Sequence, residues 1–194
     1  MKKHLLIHTC CAPCLSVPLE VLVERFDGAV TAFFYNPNID TSEEYYRRAE
    51  AVADFIGRRY PENVALEVPP YDSSPFEKDV LPLAGTGERG ERCTVCYAMR
   101  LRHSFEEARR RRMTHVATTL TVSPHKDRKR IDCIGSALEA HYGIAYLTGV
   151  WDEKRSRELC CLYGIYRQNY CGCAASAVER DQRRRKGEEH GRRE

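Results

Sequence analysis

Seven of the chain's cysteines stand in three tightly spaced groups: Cys10, Cys11 and Cys14, then Cys93 and Cys96, then Cys171 and Cys173. Thiolates are soft ligands, and such groups can converge on zinc or on an iron–sulfur cluster. A structural zinc or a 4Fe–4S cluster each takes about four of them. Seven exceed one such site and fall short of two. The spacing therefore points to two neighbouring metal sites with an open position, a shared ligand or a non-cysteine ligand. An open position is what a catalytic metal needs. Adjacent side chains on extended backbone face opposite ways, so Cys10 and Cys11 either feed two sites or bend to serve one. Both readings stand at this level.

Other residues are weighed against these groups. His8 lies two residues before the first thiols and reads as a core histidine, or else as a ligand or a donor to thiolate sulfur. Asp127, Asp152, His125 and Tyr35 fall near expected strand ends and are the candidate proton donors, with Asp127 and Asp152 preferred. A lone loop aspartate also reads as a cap or turn residue. Cys133 is expected in a helix core, and Cys160 and Cys161 in a helix outside the metal sites.

The elements that must position these groups alternate. Leu5–Thr9, Val30–Tyr35, Val64–Val68, His115–Val122 and Ala145–Leu147 read as strands. Helical spacing follows at 15–24, from Thr41 or Ser42 to about Arg59, at 96–112, 131–142 and 157–166. Cys10–Cys14 reads as a loop, and 71–92 as an irregular, mobile stretch. Strand–helix alternation predicts one α/β domain over 1–179, a three-layer parallel sheet. Ligands of such sheets bind beyond the carboxyl ends of the strands, where Cys10–Cys14, Tyr35–Asn38 and Ser123–His125 fall.

Composition sets limits. The chain has 194 residues and a formal net charge of +3. Residues 180–194 carry seven Arg and Lys against four Asp and Glu, so the remainder is formally neutral. This basic end is expected to be disordered and either solubilising or in loose contact with phosphates. No apolar leader opens the sequence and no stretch approaches a membrane span, so a cytoplasmic protein with reduced thiols and no membrane partner is expected. There is no G-x-x-x-x-G-K-[ST] or G-x-G-x-x-G, so electrons, if used, enter from an external donor rather than from a resident nicotinamide or flavin.

Five motifs in order, covering the chain to residue 176, resemble the epoxyqueuosine reductase family of the QueH type. They are His8-x-Cys10-Cys11-Ala12-Pro13-Cys14, Tyr35-Asn36-Pro37-Asn38-Ile39, Cys93-x-x-Cys96-Tyr97 with Arg100, Thr118-Thr119-Leu120 with Ser123-Pro124, and Tyr166-Arg167-Gln168-x-Tyr170-Cys171-Gly172-Cys173. The chain departs from the pattern at Gly149–Glu158. The resemblance implies a Rossmann-like, adenine-nucleotide hydrolase-like fold. It implies reduction of epoxyqueuosine to queuosine at the anticodon wobble position of tRNA, with a 4Fe–4S cluster beside a second metal ion, iron or zinc. It makes Tyr35, Asn36, Asn38, Tyr97, Arg100, Ser123, Arg167 and Gln168 candidate substrate-binding residues, suited to unstacked bases. Two rivals remain: a cysteine-ligated enzyme akin to those of tRNA thiolation, which would need a nucleotide-binding loop after the first strand, and a zinc-stapled RNA-binding module.

Overall fold

Four consecutive fully buried residues, Leu5–His8, form the first strand, β1. A strand covered on both faces reads as an apolar run rather than an alternation. The structure is a computed structural model that describes residues 3–27 and 29–190. Beside β1 lie β2 (Val30–Phe33) and β4 (His115–Thr118), flanked in turn by β3 (Val64–Glu67) and β5 (Ala145–Leu147). All pairs are parallel and the order is β3-β2-β1-β4-β5. The three-layer α/β expectation holds.

Alternation along β1 sorts the two cores. Leu5 and Ile7 face helices α1 (Ala12–Arg25) and α2 (Ser42–Arg59), among Leu15, Leu19, Val52 and Phe55. Leu6 faces α4 (Glu91–Arg110) and α5 (Arg128–Tyr142), among Leu101, Phe105 and Ile131. The short α3 (Ser74–Asp79) lies between β3 and α4, and α6 (Glu153–Tyr163) packs on α1. Thr41 caps α2 by accepting from the Glu44 N–H at 3.2 Å, as its residue type suggests. No helix among the described residues is long and apolar enough to cross a membrane.

The structure corrects several boundaries. β4 ends at Thr118 instead of Val122, because its neighbours β1 and β5 end level with it and offer no further ladder. Thr118 Oγ1 then accepts from the Leu120 N–H and turns Thr119–Val122 into a 3₁₀ helix. Residues 71–92, read as a loop, contain α3 and a 3₁₀ turn at Leu81–Leu83. Cys14 is already inside α1, whose first turn accepts Pro13 because its N–H is not needed there. Helix α7 (Ala174–His190) crosses the boundary drawn at residue 180 from composition, where disorder was expected; residues 191–194 lie outside the described residues.

Candidate metal centre

The chain leaves β1 toward one side of the sheet and, after β3, returns to the other side as β4. In sheets of this order the crevice opens beyond the strands flanking that reversal. Cys10 and Cys11 emerge there from β1, and Thr118–Lys126 emerges from β4. Cys11 is the N-cap of α1 and makes no side-chain cap bond. Although Cys11 has extended backbone, the turn into α1 brings the triad together: Sγ of Cys10 and Cys11 lie 3.8 Å apart, and all three sulfurs lie within 4.8 Å of one another. The three sulfurs thus form one group.

The three thiols share their charge unequally. Hydrogen bonds from Cys11 and Cys14 hold Cys10 well below the usual thiol range, and the nearby charges of Lys126 and Arg100 help. Cys11 is correspondingly pushed up to about 12, chiefly by its bond to Cys10, and Cys14 is raised as well. Thr119 Oγ1 accepts the Cys10 N–H at 2.9 Å and donates to Cys10 Sγ at 3.2 Å, orienting the thiolate. Cys10 is thus the most readily ionised thiol of the metal-free triad. Metal binding must strip the protons that Cys11 and Cys14 hold more tightly, so affinity rises with pH. Adding zinc anaerobically to metal-free protein in weak buffer is expected to release protons. An indicator dye reads this directly, and no release would refute the assignment.

A cavity of about 720 Å³ opens onto the triad. It is lined by Cys10 and Cys14, by Cys93 and Cys96 from the start of α4, and by Cys171 and Cys173 from the loop before α7. Cys11 sits behind them. Burial pushes the Cys96 thiol up to about 12, with Arg100 opposing. Arg100 lies one turn further along α4 and is fully buried. Its Nε donates to His8 Nε2 at 3.3 Å and one Nη donates to Asn36 Oδ1. His8 Nε2 also lies 3.1 Å from the Tyr35 carbonyl, and Nδ1 lies 2.9 Å from Thr118 Oγ1. Burial, then the Arg100 charge, lowers the His8 pKa to about 3. His8 is therefore a neutral, fully bonded core residue.

The Cys171–Cys173 loop is docked by α2. Arg48 donates from Nη1 to the Cys171 carbonyl at 3.1 Å and from Nε to Glu44 at 2.7 Å. Gly172 has φ +125, and a Cβ there would approach Ile39, Arg48 Nη1 and Asn38 Nδ2 at 3.1–3.2 Å. Both backbone strain and contact demand glycine. Gly172→Ala is expected to cost about 1–3 kcal/mol and to lower metal content, read by urea denaturation and metal analysis. Unchanged stability would mean that the loop is not held as described.

The model of the family described as epoxyqueuosine reductase QueH matches residues 5–179. The chain belongs to the QueH family. Among relatives named epoxyqueuosine reductase QueH, that of Thermotoga maritima is 37% identical over 184 residues, covering 90% of this chain and 91% of its own. That of Staphylococcus aureus is 34% identical over 188 residues, covering 92% and 78%. That of Streptococcus pyogenes is 33% identical over 184 residues, covering 91% and 71%.

Within this QueH chain the expected site residues divide. Asn38, Tyr97, Ser123, Arg167 and Gln168 line the cavity. Asn36 and Arg100 do not; they are buried behind the cysteines and bonded to each other, and Asn36 Nδ2 holds the Thr9 carbonyl at 2.9 Å. Tyr35 stacks on His103 at 4.0 Å, on the α4 side. Asp127 and Asp152, expected as proton donors, are N-caps: Asp127 accepts from the Arg130 N–H at 3.1 Å and Asp152 from the Lys154 N–H at 2.8 Å. Neither lines the cavity. Cys133 is exposed, not core, because α5 turns Ile131 and Gly135 inward and residue 133 away. Cys160 is buried on the α1 side of the sheet, and Cys161 is exposed. Lys126, which was assigned no role from the sequence, also lines the cavity. Burial alone would lower it; the charges of Cys10, Cys171, Cys14 and Cys11 outweigh this and hold it above the usual lysine range. Arg48 and Arg92, buried and cavity-lining, carried no signal beyond their charge.

Proposed function

We propose that the chain reduces epoxyqueuosine to queuosine at the wobble position of tRNA, using a 4Fe–4S cluster and an adjacent iron or zinc ion held by its cysteines. The observation that carries this reading is the convergence of six clustered cysteines, from three distant segments, on one cavity at the switch point of the sheet. The residues fit such groups. The donors are all soft sulfur, Lys126 stands as a half-buried counter-charge, and Arg100 Nη1 is buried beside Cys96 without an oxygen or nitrogen partner. Cys10, Cys11 and Cys14 with members of the other two pairs would hold the metals.

Converting an epoxide to an alkene takes two electrons and two protons and releases the oxygen as water. When bound, a cluster supplies electrons singly and an adjacent metal ion polarises a C–O bond. The electrons come from an external donor. The chain's own residues bind and orient. Eight Arg and Lys side chains line the cavity against two Glu, with Arg180, Arg183 and Arg184 contributed by α7. That balance suits a polyanionic ligand such as an RNA backbone. Tyr97 and Arg167 are available to an unstacked base.

The test is anaerobic purification, with analysis for iron, sulfide and zinc, then reaction with tRNA bearing epoxyqueuosine and a chemical reductant. Roughly four to five irons with sulfide, and queuosine formed, support the proposal. Zinc alone without turnover after reconstitution would replace it with a zinc-stapled RNA-binding module.

A further inference from the structure

The hydrogen bonds of the Thr119 hydroxyl both end on Cys10. Thr119 is wholly buried. Its Oγ1 accepts the Cys10 N–H at 2.9 Å, so the oxygen is in use as an acceptor. The hydroxyl proton needs an acceptor of its own, because a buried donor left unpaired is destabilising. Among the described residues the acceptor it reaches is Cys10 Sγ, at 3.2 Å. The same sulfur lies 3.9 Å from the Thr119 carbonyl, an oxygen that has no proton to offer it.

This contact is built from outside Cys10. Thr118 ends β4, and its Oγ1 accepts from the Leu120 N–H at 3.1 Å, which starts the 3₁₀ turn at Thr119. The same Oγ1 stands 2.9 Å from His8 Nδ1 on the neighbouring strand. The residue before Thr119 is thereby tied to β1, the strand that delivers Cys10. β-Branching then leaves the Thr119 side chain few choices of χ1. The hydroxyl is aimed at the sulfur by the protein fold alone. In the metal-free triad Cys11 and Cys14 also donate to Cys10. As metal ligands they would give up those protons, since a coordinating thiol is deprotonated. Thr119 keeps its proton and stays as a donor to Cys10 Sγ.

A hydrogen bond to a ligating sulfur favours the state that puts more negative charge on that sulfur, which is the reduced cluster. We propose that Thr119 is a positioning residue that raises the reduction potential of the iron–sulfur cluster by donating a hydrogen bond to Cys10 Sγ. This rests on the reductase reading and adds to it a residue that sets how readily an electron passes from the external donor. In that step the donor loses one electron, the cluster gains it, and no bond forms or breaks. Thr119 acts through Cys10 and does not line the cavity.

The test is a dithionite titration of anaerobically reconstituted protein, followed by the electron paramagnetic resonance signal of the reduced cluster. Thr119→Val keeps the shape and removes the hydroxyl. It is expected to lower the ratio of reduced to oxidised cluster ~10-fold at a fixed solution potential, which is ~59 mV for one electron. Thr119→Ser keeps the hydroxyl and is expected to stay close to wild type. Thr119→Ala also removes it and serves where Thr119→Val prevents folding. Binding of an anticodon stem-loop RNA, read by fluorescence anisotropy, is expected to be unchanged in all three. A potential unmoved by Thr119→Val or Thr119→Ala, or moved as far by Thr119→Ser, overturns the assignment, while queuosine formed by the wild-type protein keeps the reductase reading standing. Loss of the cluster from both Thr119→Val and Thr119→Ala also overturns it and makes Thr119 a residue of cluster assembly. A wild-type protein that takes up zinc alone overturns both readings.

Discussion

Cys10→Ser is expected to remove the bound metal and the reaction together, while Cys133→Ser is expected to leave both as they were. Cys10 is the thiol of the triad held lowest in pKa: Cys11 and Cys14 donate to it, Thr119 orients it, and Lys126 and Arg100 favour its charged form. Its loss deprives the site of the sulfur most readily deprotonated. Removing a partner behind a metal ligand typically costs ~10–100-fold, and loss of the ligand itself is expected to exceed ~100-fold in turnover. Cys133 has the same chemistry but stands exposed on α5, so its replacement should stay within about 0.5 kcal/mol in stability. Iron content, visible absorption and queuosine formation check the pair. A Cys10→Ser protein that turns over normally without its cluster would falsify the proposed mechanism.

The second large effect belongs to Arg100. Arg100→Leu keeps much of the bulk and withdraws a buried charge. His8 Nε2 and Asn36 Oδ1 lose their donor, and the Cys96 thiol loses the cation that opposes its burial. Breaking such a buried charged network by deleting one member costs about 3–5 kcal/mol. Urea denaturation of the metal-free protein should show that loss, and Arg100→Lys should recover part of it as a charge without the fork geometry. An unchanged urea midpoint would show that Arg100 is not holding these groups. Asn36 and Arg100 were expected to touch substrate; their role in the structure is to fix the ends of β1 and β2 under the metal site.

Much of this was legible in the residues because local rules governed it. Continuous apolar runs marked strands covered on both faces, and helical spacing marked the layers that cover them. Thr41 announced a cap by its type, and the loops expected on the carboxyl rim are the ones that line or support the cavity. Other features were not local. The end of β4 depends on where β1 and β5 stop, which no residue of β4 encodes. Cys133 depends on which side of α5 meets the sheet. Asp127 and Asp152 were expected near strand ends, but β4 and β5 stop at Thr118 and Leu147, and helix N–H groups claim both. Lys126 and Arg48 look like ordinary surface charges until burial and thiolates surround them.

By itself, then, the sequence determined the fold class, the family and the supply of soft ligands, because periodicity and residue type are written along the chain. Only the tertiary structure decided that three thiols form one triad, that two other cysteine pairs open onto the same cavity, and which cations and amides face it. Those are contacts across scores of residues, and they exist only once the sheet has ordered its strands β3-β2-β1-β4-β5 and opened a crevice at its centre.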